Sequence, residues 1–436
     1  MPLRGVFMKK YSVIIIGAGN RGSNYSRKLN DLRDRYEVIA VAEPYAGRRN
    51  YVKDMFDLPD EMCFTSWQDI LSRPKMADIA IIATMDEEHY EPAMRAIELG
   101  YHLLLEKPVA PTPQQCADIA NAAKAKGVEV LVCHVLRYTP FYNRVKELVL
   151  SGTIGEIVSV IGVEAVGNVH QSHSYVRGNW HSEAATTPML LAKSCHDLDI
   201  IQWLVGKPCL KVSSFGSLTH FVETNAPEGS PVRCVDGGCP VADTCPYNCM
   251  KLYYDDKDNA WFRKAATRGI SKEYLPTDEE VLTALKTTDF GLCVYHANND
   301  VVDHQVVNME FEGGVTASFT MNAFNKGGRY IRLFGTKGEL FANMSDTEIT
   351  VYTFEDKQTR TYAVNKTEES ILGGHGGGDQ GIVAELHEYL SGDYTGYCAA
   401  NIQVSVQNHM IGFAAEKARH ENTVEDVKKF ASQYNF

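Results

Sequence analysis

The chain has 436 residues, 44% of them hydrophobic and 22% charged, the balance of a globular protein too long for one core of usual size. Its formal charge of −12 gives it no general attraction to nucleic acid or an anionic membrane, and no run of Lys and Arg marks a local basic patch. No apolar stretch approaches the ~18 residues of a membrane span. Met1 to Lys10 is too short and too weakly apolar to read as a signal peptide, so the expected address is the cytoplasm. Eleven cysteines then read as reduced thiols and not as a disulfide framework.

Taken in order, the first element is Tyr11 to Ile16, a β-branched run expected of a strand buried on both faces of a parallel sheet. Gly17-Ala18-Gly19-Asn20-Arg21-Gly22 follows at once, then a polar stretch from Ser23 to Arg35 compatible with a helix. A second apolar strand, Glu37 to Ala42, ends at Glu43. Each glycine has a mechanical reason. Gly17 permits the turn out of the strand, Gly19 lets the backbone approach a pyrophosphate, and Gly22 lets helix and strand pack closely. The helix start, with Asn20 and Arg21, offers N–H groups and a positive dipole end to phosphates. Glu43 lies 21 residues after Gly22, where a carboxylate binds the adenosine ribose and repels a 2′-phosphate. NAD is therefore favoured, with NADP kept open by Arg48 and Arg49. Glycines alone carry little weight; strand, glycines, helix, strand and acid in this order carry much more.

The alternation continues. Met76 to Thr84 reads as a strand, Tyr90 to Leu99 as a helix ended by Gly100, and Tyr101 to Leu105 as a strand with Glu106-Lys107-Pro108 at its carboxyl end. Open α/β sheets place ligands just beyond such ends. Pro113 to Lys126 reads as a helix and Val128 to Cys133 as a strand, followed by His134, a candidate neighbour of the nicotinamide.

These residues resemble the glucose–fructose oxidoreductase and inositol dehydrogenase family, Gfo/Idh/MocA. The matching elements are Gly17 to Gly22, Thr84 with His89 five residues later, Glu106-Lys107-Pro108, Arg137-Tyr138-Thr139-Pro140 and Gly152-Thr153-Ile154-Gly155. The resemblance covers essentially the whole chain. It implies an N-terminal Rossmann doubly wound parallel sheet over residues 1–135. An α+β domain with a large open mixed sheet follows over 136–436, for substrate binding and oligomer contacts, with an insert at about 216–300. It implies that Lys107 reaches both the nicotinamide ribose and the substrate hydroxyl and that Glu106 helps hold the cofactor. A lysine partly desolvated beside the pyridinium ring has a lowered pKa, which suits it to moving a hydroxyl proton. Read without the family, Glu106 and Lys107 form an exposed ion pair at a strand end.

In the second domain, strands are expected at Glu156 to Val166, Lys211 to Phe215, Gln305 to Phe311, Thr316 to Phe324 and Tyr330 to Phe334. The catalytic segment is expected at Pro188 to Asp199. The family places a His on this helix with an Asp four residues before it; His196 fits the His, but the Asp position holds Ala192. His196 suits proton transfer near neutral pH, and Lys193, on the same face of a continuous helix, becomes a second catalytic candidate. Asp197 and Asp199 read as structural. His173, Tyr175, Arg177 and Trp180 form a segment rich in sugar-binding residue types, and His375 lies in the Gly-rich run Gly373 to Asp379. Both segments read equally well as surface loops.

Cys234, Cys239, Cys245 and Cys249 fall within sixteen residues, amid Gly237-Gly238 and Pro240. Four soft ligands on a turn-rich segment suit a structural zinc, but the spacings lack the usual Cys-x-x-Cys knuckle, so free thiols remain the alternative. The expected function is an NAD-dependent dehydrogenase acting on a ring hydroxyl of a sugar, glycoside or cyclitol, as a homodimer or homotetramer. Two alternatives stay open: a glycosidase using NAD in an oxidation–elimination–reduction cycle, and a non-catalytic NAD-sensing regulator.

Overall fold

The computed structural model describes the chain apart from residues 1–8, 347 and 365–374. It divides into two compact units. The first takes Met1–Ala110, Gln114–Pro140 and Thr367–Val406; the second takes Pro111–Pro113, Phe141–Lys366 and Gln407–Phe436. Among the described residues no helix is long and apolar enough to cross a membrane.

The sheet of the first unit has β1 (Tyr11–Ile16), β2 (Tyr36–Ala42), β3 (Cys63–Phe64), β4 (Ile79–Ile82), β5 (His102–Leu105) and β6 (Val130–Val132). Its order is β3-β2-β1-β4-β5-β6 and every pairing is parallel. The order reverses at β1, the switch point where such sheets bind nucleotides. Val13, Ile14, Ile15 and Ile16 are all buried, as a central strand covered on both faces requires. Each such side chain contributes roughly 1.5–3 kcal/mol. Helix α1 (Asn20–Asp31) starts inside the glycine loop itself.

The stretch after residue 374 corrects the expected boundary. The sequence puts everything beyond 135 in the second domain, yet helix α2 (Gly378–Ser391) packs within the first unit, against α1 and the turn Val135–Tyr138. A Cβ on Gly378 would lie 2.2 Å from the Val135 carbonyl oxygen, and one on Gly381 2.7 Å from Tyr138 Cβ. The Tyr36 hydroxyl donates to the Val383 carbonyl at 2.7 Å, and the rings of Tyr11 and Tyr36 meet His387 edge-on. Nothing local to 378–391 signals this return, because its partners lie more than two hundred residues earlier.

The second unit is built on a nine-stranded mixed sheet. Its strands are β7 (Ile157–Ala165), β8 (Cys209–Ser217), β9 (His304–Phe311), β10 (Thr316–Asn322), β11 (Gly328–Gly335), β12 (Gly338–Asn343), β13 (Glu348–Thr353), β14 (Gln358–Ala363) and β15 (Glu425–Asp426). The order is β14-β13-β12-β11-β7-β10-β9-β8-β15, antiparallel except for β7 with β10. Alternate residues of β7 to β13 are buried, and the other face stays open, with Val158, Ile161, Phe215, Tyr330 and Phe341 exposed on it. Of the strands absent from the sequence-based expectations, β13 carries a β-branched alternation, Glu-Ile-Thr-Val-Tyr-Thr, whereas β12 and β14 do not stand out from their surroundings. Between β8 and β9 lies an insert of short helices with two small cores of its own.

Candidate functional site

In the first unit the site grows out of the glycine loop. Gly17 has φ 89°, and a Cβ there would lie 2.5 Å from the Ala83 carbonyl oxygen. A Cβ on Gly22 would lie 1.9 Å from the Gly17 oxygen. These two glycines are packing requirements. Gly19 differs: a Cβ there would meet only the Arg48 Nη1, at 3.6 Å. The loop is open at that point to an incoming group. Gly19 is also the N-cap of α1 and gives it no side-chain cap, so the first-turn N–H groups, beside the exposed Asn20, are left to an anionic partner. This cradle fits a dinucleotide pyrophosphate. Glu43, just past β2, is buried, and its two oxygens accept from Ala18 N (2.7 Å) and Tyr45 N (3.0 Å). Arg49 donates to the carbonyls of Glu43 and Pro44.

Arg21 organises a buried cluster that no local signal in the sequence announces. Its Nε donates to Glu106 Oε1 at 2.6 Å, and its Nη1 and Nη2 grip Asp379 at 2.9 and 2.7 Å. The Tyr25 hydroxyl also donates to Glu106 Oε1 (2.6 Å), Asn24 Nδ2 donates to Asp379, and the Lys107 backbone N–H closes on Glu106 Oε2 (3.0 Å). Burial pushes the Glu106 carboxyl up, but the charges of Arg21 and Lys107 and the two hydrogen bonds outweigh it and hold the group below the usual carboxylate range. Asp379 is likewise held far below that range, against its burial, by Arg21 and His375. Glu106 thus acts on the backbone that carries Lys107. Asn24 and Tyr25, at three and four residues from Arg21, share its helix face; Asp379 is 358 residues away, and no sequence signal links the two.

The remaining candidates of this unit brace the same segment. Lys107 is half-buried at the carboxyl end of β5. His89 Nδ1 lies 2.7 Å from the Pro108 carbonyl oxygen, tying the start of the following helix to the Glu-Lys-Pro turn. The Thr84 hydroxyl donates to the Glu88 carbonyl at 3.1 Å. His134 is fully buried, and burial together with Arg137 and Lys107 drives its pKa far down, so the ring is neutral. Where the sequence suggests a substrate contact, His375 Nδ1 lies 3.2 Å from Asp379 and 3.3 Å from Arg21, inside the Arg21 cluster. Gly373 and Gly374 of its run lie outside the described residues.

The second unit carries its own charged cluster. Lys193 Nζ pairs with Glu164 Oε1 at 3.3 Å, and Arg329 Nε lies 2.6 Å from Glu164 Oε2 while donating to Asp197 Oδ1 at 2.9 Å. Glu164 supplies Lys193 with a carboxylate of the kind that the sequence lacks at Ala192. The expected continuous helix is also corrected. It breaks between α3 (Met189–Ala192) and α4 (Cys195–Val205): Lys193 has φ −113° and ψ −56°, and Ser194 starts the second piece. Lys193 and His196 therefore lie on either side of a break, not on one helix face. His196 is buried in the first turn of α4. Asp197 holds Arg329 and Asp199 accepts from Asn408 at 2.7 Å, both structural contacts.

The segment rich in sugar-binding types is largely internal. His173 stacks on Phe262 with ring centroids 4.0 Å apart and lies 3.0 Å from the Tyr253 hydroxyl. Arg177 donates to the carbonyls of Leu292 (2.7 Å) and Tyr247 (2.7 Å). Tyr175 is buried, 5.9 Å from the half-buried Trp180. His173 and Arg177 are corrected from substrate contacts to anchors of the insert, because aromatic and carbonyl partners absorb their polar and apolar faces.

Comparison with known proteins gives these units relatives. The family described as oxidoreductases with an NAD-binding Rossmann fold matches residues 11–134, and its C-terminal alpha/beta domain matches 146–425. A Bacillus subtilis (strain 168) protein, YteT, named only provisionally as an oxidoreductase, is 25% identical over 333 residues, 73% of this chain and 74% of its own length. An inositol 2-dehydrogenase of Corynebacterium glutamicum is 27% identical over 206 residues, 47% of this chain and only 57% of that enzyme. The scyllo-inositol dehydrogenase of Lactobacillus casei, solved with NAD(H) and scyllo-inositol, superposes with a TM-score of 0.63 at 16% identity, over 96% of this chain and 100% of that one, a likeness of fold alone.

Proposed function

Because the chain belongs to the Gfo/Idh/MocA oxidoreductase family, we propose that it oxidises a ring hydroxyl of a sugar, glycoside or cyclitol with NAD. The observation that carries this reading is the lock on Glu106 by Arg21 and Tyr25, which fixes the backbone of Lys107 at the carboxyl end of β5. A catalytic lysine needs such a fixed base, since positioning within a fraction of an ångström governs proton transfer.

The loop at Gly19 and the start of α1 would hold the pyrophosphate, and Glu43 the adenosine ribose. Both Glu43 oxygens accept one backbone N–H each, and a carboxylate oxygen can accept more than one, so capacity for ribose hydroxyls is left. A 2′-phosphate would meet that negative charge, which supports NAD over NADP; of the two arginines that keep NADP open, Arg49 spends its Nη1 on the Glu43 and Pro44 carbonyls, while Arg48 Nη1 reaches the open side of Gly19. When bound, the nicotinamide supplies the hydride acceptor. Lys107 is assigned to the substrate hydroxyl, whose proton its side-chain nitrogen moves. His196 is assigned to substrate in the second unit. The ammonium of Lys193, paired with Glu164, suits an electrostatic role better than that of a base. The open face of the second sheet, with its exposed apolar side chains, supports self-association through that face.

The test is a panel of sugars, glycosides and cyclitols with NAD and NADP, read by absorbance of the reduced nicotinamide. Turnover with NAD is expected, with a loss of at least ~100-fold in kcat for Lys107→Ala and near-unchanged NAD affinity. Aglycone release without net reduction would replace dehydrogenation by the redox-neutral cycle. NAD binding with no turnover of any substrate, and no effect of Lys107→Ala on an output, would favour a sensor and sink the reading.

A further inference from the structure

Two ligand sets that the sequence marks end differently. Among the described residues no three of Cys234, Cys239, Cys245 and Cys249 bring their sulfurs within 4.8 Å of one another, and Cys249 is fully buried in a small core of the insert, so the expected metal set is not assembled. At the glycine loop of the first unit the expected anion cradle is formed, but the cation expected to serve it is spent elsewhere. Arg21 is the only cation of Gly17 to Gly22. Each of its side-chain nitrogens already has a carboxylate partner, Glu106 for Nε and Asp379 for Nη1 and Nη2. A pyrophosphate is doubly negative, and charge that leaves water needs a partner.

Arg48 stands where that cation is missing. A Cβ built on Gly19 would meet one heavy atom within 4 Å, Arg48 Nη1 at 3.6 Å. The second glycine of such a loop lacks a side chain so that a pyrophosphate can come close there. The guanidinium therefore borders the space that a pyrophosphate would take. The approach joins two βα units: Gly19 caps α1, whereas Arg48 belongs to the helix Ala46–Phe56 that follows β2.

The placement of Arg48 is also poor for its own helix. The first turn of Ala46–Phe56 holds no acid, and a cation near a helix N-terminus meets the positive end of the dipole. Arg49 is accounted for, because it donates to the carbonyls of Glu43 and Pro44. Arg48 is half-buried, with its guanidinium 5.3 Å from the centroid of the Tyr45 ring, a contact that limits its swing. It lies beside the start of α1, whose first turn likewise has no acid and no side-chain cap. Two positive groups side by side at an open space favour an anion between them.

We propose that Arg48 is the pyrophosphate-binding cation of this chain, in the place at the phosphates where the sequence puts Arg21. The assignment rests on the dinucleotide reading above. It commits Arg48 to the pyrophosphate and not to a 2′-phosphate on the adenosine ribose. Glu43 Oε2, which accepts from Ala18 N at 2.7 Å, keeps the ribose side of the cradle negative. A cation at the pyrophosphate and a carboxylate at the ribose together select a dinucleotide with free ribose hydroxyls.

The experiment measures the affinity of the full chain for ADP-ribose, which carries the pyrophosphate but no nicotinamide, by calorimetry at several salt concentrations. Arg48→Met should weaken ADP-ribose by about 10- to 100-fold, the range of one charge-assisted hydrogen bond, and flatten its salt dependence. 2′-Phospho-ADP-ribose should lose the same factor, and adenosine should bind both proteins alike. Equal ADP-ribose affinity in wild type and Arg48→Met would overturn the assignment and leave the cofactor reading intact. A loss confined to the 2′-phosphate form would overturn it too, by moving Arg48 to the ribose. Wild-type protein that binds neither ADP-ribose nor NAD would remove the dinucleotide reading and this assignment with it. Arg48→Gln, at the same half-exposed position, repeats the measurement if the methionine variant misfolds.

Discussion

Each unit holds a buried pair of carboxylates around an arginine, at Arg21 in the first and at Arg329 in the second, and these two clusters are finished to different degrees. Around Arg21 almost every oxygen is used: Glu106 takes Arg21, Tyr25 and the Lys107 N–H, and Asp379 takes a two-pronged grip plus Asn24. Both carboxyls are held below their ordinary range. Around Arg329 the Nε–H goes to Asp197, Glu164 Oε2 is close but off the hydrogen-bond direction, and Asp197 Oδ2 has no hydrogen-bond partner among the described residues. Burial and the neighbouring Glu164 raise the Asp197 pKa to about 6, more than Arg329 can offset. The same charges therefore make a rigid anchor in one unit and a titratable group in the other. The difference lies in neutral donors, which one helix face supplies in the first case, while in the second Glu164 Oε2 and Asp197 Oδ2 take none among the described residues.

Four substitutions sharpen or break that contrast. Asp379→Ala should have the largest effect, because it strands Arg21: a loss of about 3–5 kcal/mol in denaturant unfolding, with weakened NAD binding as the Glu106 lock loosens. Arg329→Met should lose about 3 kcal/mol at pH 7 and less at pH 5, where Asp197 takes up a proton and relieves the repulsion with Glu164. A larger loss for Arg329→Met than for Asp379→Ala would reverse the ranking of the two clusters. Asn24→Ala removes one neutral donor and should lose about 1.5 kcal/mol, read as a lower melting temperature.

Asp197→Asn should change stability at pH 7 by less than about 1 kcal/mol, but it should alter the pH dependence. The sign follows from proton linkage. With its folded pKa raised, Asp197 holds its proton more tightly in the folded chain, so stability declines as pH rises from about 4 to about 6. Glu106 and Asp379, lowered in the folded chain, act oppositely: their contribution is present above the ordinary carboxylate range and is lost on acidification through their folded values. The Asn variant should abolish the decline between pH 4 and 6 and leave the acid loss in place. An unchanged slope would mean that Asp197 does not titrate there.

Much of the first unit was legible in the residues because its rules are local. A β-branched run, glycines at fixed offsets and an acid at the end of the next strand are each dictated by contacts within a few tens of residues, and β1, β2 and the Glu-Lys-Pro turn lie where the sequence put them. The alternation of β7 and β9 to β11 was legible for the same reason. What stayed hidden depends on partners far apart along the chain. Sequence marks Arg21 as a cofactor-binding residue at the helix start, His375 and Arg177 as sugar contacts, and Cys249 as a ligand candidate. Only the tertiary structure joined Arg21 to Asp379, turned Arg177 onto two carbonyls and buried Cys249. The type of a side chain fixes what it can bond; which bond it makes is decided by packing, since a buried polar group takes the partner that the fold delivers.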